Sequence, residues 1–249
     1  MNKKKIFLIA KENTPKVKVI GKKEWLRHDV VQELRGKSNI GIELGVAQGV
    51  YSKRMVDSGR FKKFYGVDVY GDIHDTKEYI SALKHVGVEN SSYCLLRMDF
   101  DSALCMFEDE YFDFIYIDGF AHTGEDGGKT LIDWIKKLKV GGILAGDDYH
   151  DDWPLVVWAV NDLAEKLGTD IRVTLASENE IYCKYPTWYI KKMGRINPSI
   201  NPLLYKLGMR EKRRVNFYRT GIYAKARKLS VTILDILGLK QIIINLIRR

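Results

Sequence analysis

The stretch Asn39-Ile40-Gly41-Ile42-Glu43-Leu44-Gly45-Val46-Ala47-Gln48-Gly49 limits what this chain can fold into more than any other. Ile40, Ile42 and Leu44 make an apolar run of strand length. Gly45 and Gly49 follow, and Val50 to Val56 then reads as opening helical turns. A strand that turns through glycines into a helix leaves free backbone N–H groups and a positive dipole end at its carboxyl edge. Glycine also lets a ligand come close to that backbone. The spacing, E-x-G-x-x-x-G, is neither the G-x-G-x-x-G of a dinucleotide fold nor the G-x-x-x-x-G-K-[ST] of a phosphate loop. Glu43, placed just before the turn, suits a cationic ligand better than a pyrophosphate. A tight turn in an ordinary α/β domain fits the same residues equally well.

Strand-length and helix-length segments alternate on both sides of this turn. Lys3 to Ala10 reads as a lead-in strand and Lys22 to Leu34 as a helix. After the strand at Asn39–Gly45, a helix runs to Ser58, where Gly59 ends it. A strand over Phe64–Val69, a helix over Thr76–Val86 and a strand over Ser92–Met98 come next. Tyr111 to Gly119 is too apolar to be anything but a central strand. A loop at Gly124–Gly128 leads to a helix through Leu131, Trp134, Ile135 and Leu138. A strand at Gly141–Gly146 precedes a helix from Trp153 to Leu167, with Pro154 in its first turn. Ile171–Ala176 and Ile181–Lys184 read as a closing pair of strands. This alternation predicts an α/β fold, a Rossmann-like, mostly parallel sheet with helices on both faces.

Successive strands end in acids: Glu43, Asp68, Asp99, Asp118 and then Asp147 with Asp148. In such sheets, ligands bind across the carboxyl ends of the strands. An acid-lined crevice fits S-adenosylmethionine, whose sulfonium and amino group are both positive. Asp68 is placed to hold a ribose diol, and Asp99 with Met98 to lie near an adenine ring. Asp99 fits equally well as the cap of a short helix at Ser102–Phe107.

The string Tyr116-Ile117-Asp118-Gly119…His122…Asp133-Trp134…Leu138-Lys139-Val140-Gly141-Gly142…Gly146-Asp147-Asp148-Tyr149 resembles class I S-adenosylmethionine-dependent methyltransferases. It is most similar to the metal-dependent branch that methylates oxygens on macrolide sugars and bacterial surface glycans. The resemblance spans about Ser38 to Lys184. It implies a seven-stranded sheet with one antiparallel strand. It also implies Mg²⁺ or another hard divalent cation on Asp118, Asp147 and Asp148. Oxygen ligands suit such an ion, and three carboxylates would repel one another without one. Glu43, Gly45, Gln48, Gly49, Ser52, Asp68, Met98, Asp99 and Asp118 are the expected cofactor contacts. His122 matches the family's general base, although Phe120 and Ala121 set it one residue further from Gly119 than the usual pattern. His150 is the reserve base, and His74 could sit on a lid.

The length accommodates one such domain, residues 1–190, plus an extension, residues 191–249. The net charge of +9 conceals a division, because the extension carries fifteen Lys and Arg against two acids. Its +13 leaves −4 on the domain. Apolar residues at 222, 226, 229, 233, 236, 243 and 247 form a near-helical stripe in the extension. That stripe could pack on the domain, on a second subunit, or in the plane of a membrane. Nucleic acid ranks last, since no recognised binding motif accompanies the charge. Scattered Cys94, Cys105 and Cys183, with no long apolar run, point to a cytoplasmic protein, with the inner face of the membrane as a second location. The expected activity is O-methylation of a sugar or glycan, and the resemblance extends that expectation to a lipid-linked one. The alternatives are a catechol-type or other small-molecule O-methyltransferase and a non-catalytic cofactor-binding module tethered to a membrane complex.

Overall fold

The computed structural model describes residues 3–71 and 75–219. The lid position His74 and the apolar stripe from 222 to 247 lie outside the described residues. The chain opens with helix α1 (Lys3–Asn13), strand β1 (Val19–Lys22) and a 3-10 turn at Arg27–Glu33. Strand β2 (Asn39–Leu44), helix α2 (Val50–Asp57), strand β3 (Phe61–Asp68) and helix α3 (Thr76–Val86) follow. Next come β4 (Tyr93–Arg97), α4 (Phe100–Leu104) and β5 (Phe112–Ile117). A 3-10 turn at Ala121–Thr123 leads into a single helical turn, α5 (Gly124–Gly127), and then α6 (Lys129–Lys137). The chain continues through β6 (Leu138–Gly146), α7 (Pro154–Leu167), β7 (Ile171–Thr174), β8 (Trp188–Lys191) and α8 (Pro202–Arg219).

The strands form one eight-stranded sheet in the order β1-β7-β8-β6-β5-β2-β3-β4. Only β8 runs against the rest, paired antiparallel with β6 and β7. The chain places β3 and β4 on one side of β2, then returns to lay β5 on the other. The topological switch therefore falls between β2 and β5, where open α/β sheets leave a crevice. Central β5 is covered on both faces. Ile115 and Ile117 join Ile42, Leu44, Trp134 and Trp158 in one core layer. Phe114 and Tyr116 join Phe64, Tyr51 and Tyr189 in the other. Two-sided burial explains why this strand is a nearly continuous apolar run.

Several elements differ from the sequence reading. The sheet has eight strands rather than seven, because β1 adds to the edge beside β7. Lys3–Ala10 is helical, with Ile6 and Ala10, one turn apart, buried in the core beside α7. The expected helix over Lys22–Leu34 is split. Lys22 ends β1, and Arg27, Val30 and Val31 are the buried residues of the 3-10 turn. The last strand is Trp188–Lys191, not Ile181–Lys184, where Tyr182 takes a left-handed backbone (φ 61°) that no strand tolerates.

Helix α8 belongs to the same core, through Leu204 and Leu207. It crosses α5 with backbone against backbone. A Cβ built on Gly208 would lie 2.5 Å from Gly127 Cα and 2.7 Å from the Thr123 carbonyl oxygen. Alanine in a helix interior normally gains about 1 kcal/mol over glycine. Here the backbone clash exceeds that gain, so Gly208→Ala should destabilise the chain by about 1–3 kcal/mol in urea unfolding.

Candidate active site

A cavity of about 310 Å³ opens at the carboxyl ends of β2, β3 and β5. Glu43, Gly45, Asp68, Asp99 and Asp118 line it, together with Arg27, Tyr51, Phe100, Phe120 and Tyr182. Asp68 holds the turn after β2 by accepting the backbone N–H groups of Val46 and Ala47, each at 3.0 Å, and that of Tyr70 at 3.1 Å. The turn is thus fixed by a carboxylate from the next strand.

The two glycines answer to packing. Gly45 has φ 94°, and a Cβ there would lie 1.9 Å from the Asp118 carbonyl oxygen. Gly49 has φ 79°, and a Cβ would lie 2.9 Å from Ala82 Cα on α3. Gly45 also borders the cavity, whereas Gly49 is not on its wall. Gln48 is exposed, and its carbonyl oxygen pairs with His85 Nδ1 at 2.7 Å. Ser52 is fully buried behind Glu43, to which it donates, and it accepts from the Tyr93 hydroxyl at 3.0 Å. Met98 is half-buried beside the core, with its backbone N–H on the Asp68 carbonyl. Asp99 both borders the cavity and caps α4, accepting from the Ser102 N–H at 2.8 Å. Those bonds hold its carboxyl below the ordinary value.

The histidines stand apart from this wall. His122 is exposed on the 3-10 turn, its ring edge-on to Trp153 at 4.8 Å. It borders a second cavity of about 140 Å³ with Asp152, Trp153, Glu211 and Arg214. Gly119 and Phe120 line the first cavity and Ala121 and His122 the second, so one short loop separates them. His150 is exposed and accepts the Asp152 N–H at 3.1 Å, close to the Tyr185 ring.

The acids after β5 and β6 meet an arginine that the sequence reading did not single out. Arg27 donates to Asp118 Oδ2 at 2.8 Å, to Asp147 Oδ2 at 3.2 Å and to the Tyr182 carbonyl at 2.7 Å. Asp147 Oδ1 accepts from Thr187 at 3.3 Å. Burial raises the Asp147 carboxyl, and Arg27 opposes that rise. Asp148, at φ 65°, is pushed up to about 7 by burial and then by Asp118. Among the described residues, no three His, Cys, Asp or Glu side chains converge as a metal site. The Mg²⁺ expected on Asp118, Asp147 and Asp148 therefore lacks support, because a guanidinium already takes an oxygen from two of the three. Glu125 was also missed. It is buried beneath the same acids, with Oε2 unpartnered and its carboxyl raised well above the ordinary value by burial, Asp118 and Asp148. The sequence shows no sign of Arg27's role, since its partners lie 91 and 120 positions along the chain.

Glu43 generates a pH test. Burial pushes its carboxyl up to about 8 from 4.5, against the Ser52 hydrogen bond. Between those values the folded chain keeps a proton that the unfolded chain has lost. Stability therefore falls as pH rises through that window and levels off above it. Glu43→Gln should remove this part of the decline, read as a flatter Tm against pH in the ligand-free chain.

Residues 40–149 match the family model of a methyltransferase domain. No curated protein matches the chain in sequence. Among solved structures, a spermidine synthase in complex with the transition-state analogue AdoDATO aligns at 13% identity and TM-score 0.51, over 76% of this chain and 70% of that one. The spermidine synthase of Thermotoga maritima aligns at 15% and 0.50, over 72% and 61%. A protein from Corynebacterium glutamicum aligns at 9% and 0.51, over 80% and 94%. At these identities the likeness is one of fold. The match to a methyltransferase domain is carried on this sheet and ends just past the acids of β6.

Proposed function

We propose that this chain is a methyltransferase that moves a methyl group from S-adenosylmethionine to a hydroxyl oxygen of a sugar or similar polyol. One observation carries the cofactor half of that reading. Glu43, Asp68 and Asp118, from three neighbouring strands, line one cavity beside a glycine turn. Carboxylates converging there favour a ligand that carries positive charge. When bound, S-adenosylmethionine supplies a methyl group on a positively charged sulfur. Asp118 offers negative charge to the ligand's cationic groups, a bound cation favours the ionised form of Glu43, and Asp68 holds the turn and offers acceptors for a ribose diol.

For the acceptor, Asp118 can take a hydrogen bond from a hydroxyl and hold its oxygen toward the methyl carbon. The carbon–oxygen bond forms as the carbon–sulfur bond breaks, and the hydroxyl proton passes to a base. His122 is the base we favour, because its loop continues directly from Phe120 on the cavity wall, and His150 is the alternative. Alignment of oxygen, carbon and sulfur supplies much of the rate, up to about 7–11 kcal/mol in favourable cases. The sugar acceptor rests on the resemblance of the Ile117-Asp118-Gly119 to Asp148-Tyr149 string. The basic tail adds the further proposal of a lipid-linked glycan met at the inner face of a membrane, or of a second subunit. No helix among the described residues is long and apolar enough to cross a membrane.

Calorimetry with S-adenosylhomocysteine tests the cofactor, and absence of heat would overturn the reading. With labelled methyl donor, glycans should accept label where catechols do not. Asp118→Asn should lower kcat by about 10²–10⁴-fold while S-adenosylhomocysteine affinity changes far less.

A further inference from the structure

The acids that end β5 and β6 are expected to need a cation, and the chain already supplies one. Arg27 is 4% exposed and enters from the 3-10 turn ahead of β2. Its guanidinium bridges Asp118 and Asp147, which follow different strands, and also holds the Tyr182 carbonyl. The rings of Tyr51 and Tyr116 flank it, at 4.7 and 5.0 Å from its central carbon. Val30 and Val31, from the same turn, are buried in the aromatic layer and anchor it. Its Nε–H is buried with no partner among the described residues, and the residue lines the cavity.

This arrangement does not fit a divalent ion as well. A hard cation needs several free carboxylate oxygens directed at one point. Here one oxygen each of Asp118 and Asp147 accepts from Arg27, and the second oxygen of Asp147 accepts from Thr187. A guanidinium so close would repel the ion. Arginine does not lose its proton in proteins, so no change of pH vacates the position.

We propose that Arg27 is the resident cation of this methyltransferase, a positioning residue that takes the place of a divalent metal between Asp118 and Asp147. It offsets one of the two acids' negative charges, fixes Asp118 at the cavity wall, and leaves an N–H for a bound oxygen. An acceptor then needs no pair of oxygens to chelate a metal, and a single hydroxyl suffices. The inference rests on the methyl-transfer reading only for this consequence. The cation itself is tested without cofactor.

Mn²⁺ binding, followed by electron paramagnetic resonance, is the direct probe. The full chain should leave Mn²⁺ free at millimolar concentration. Arg27→Met should gain Mn²⁺ affinity by about tenfold or more, because a fixed charge a few ångströms away has gone. Adding Asp147→Asn to that variant should remove the gain. Arg27→Lys should keep the ion out by retaining the charge. Tight one-to-one Mn²⁺ binding by the unaltered chain, lost in Asp147→Asn, would overturn the proposal. So would an Arg27→Met chain that is folded by circular dichroism and gains no affinity. If Arg27→Met does not fold, the unaltered chain and Arg27→Lys decide the matter. A failure of S-adenosylhomocysteine to bind would sink the methyl-transfer reading and leave these Mn²⁺ results standing.

Discussion

The buried guanidinium of Arg27 among carboxylates is the interaction on which the site depends. Removing charges from water costs several kcal/mol per ion, and only close, directed partners offset it. Arg27 meets that condition with two carboxylates, a carbonyl and two aromatic faces. In return it ties together the turn before β2, the ends of β5 and β6, and the segment around Tyr182. The tie at Tyr182 also accounts for part of the topology. Ile181–Lys184 cannot continue as a strand while Tyr182 turns its carbonyl toward Arg27 with a left-handed backbone, so the sheet resumes only at Trp188.

A second set of constraints fixes the glycine turn. Asp68 satisfies its backbone donors, Asp118 packs against Gly45, and α3 packs against Gly49. These contacts lie within the protein, so the fold itself shapes the cavity. Preorganisation of this kind lowers the cost of ordering a ligand on arrival. It also changes the meaning of the glycines. In the sequence they suggest backbone bared to a ligand, whereas in the structure Gly45 must be glycine because the Asp118 backbone, just past β5, lies against it.

Legibility in the sequence follows the range of the interaction responsible. The α3 helix at Thr76–Val86 and the central strand β5 are set by local periodicity and two-sided burial, and both are visible in the residues themselves. The acids at the strand ends are visible too, because strand ends are local. What could not be read depends on distant partners. Arg27 reaches residues 91 and 120 positions away. The helicity of Lys3–Ala10 depends on α7, and β1 is a strand only because β7 lies beside it. Ser52 looks like a cofactor contact from its place after the turn, yet Tyr93 and Glu43 turn it inward.

The turn after β5 shows how far this dependence extends. From Gly124 to Gly128 every residue has positive φ, including Glu125 at 54° and Asp126 at 52°. Left-handed helical geometry costs about 1–2 kcal/mol for each non-glycine residue. The Thr123 hydroxyl accepts the Asp126 N–H, and Lys212 on α8 pairs with the Asp126 carboxylate. Gly208 lets α8 lie directly on the turn. These contacts offset the strain, and the strain has a local product. It puts the Glu125 side chain beneath Asp118 and Asp148 while its neighbours Gly127 and Gly128 serve the packing of α8. A fourth carboxylate in that position, ionised, would undo part of what Arg27 neutralises. Burial, with Asp118 and Asp148, raises the Glu125 carboxyl well above its ordinary value and so disfavours that further negative charge. Helix α8, which composition alone would set apart as a basic tail, is thus part of what holds the rim together.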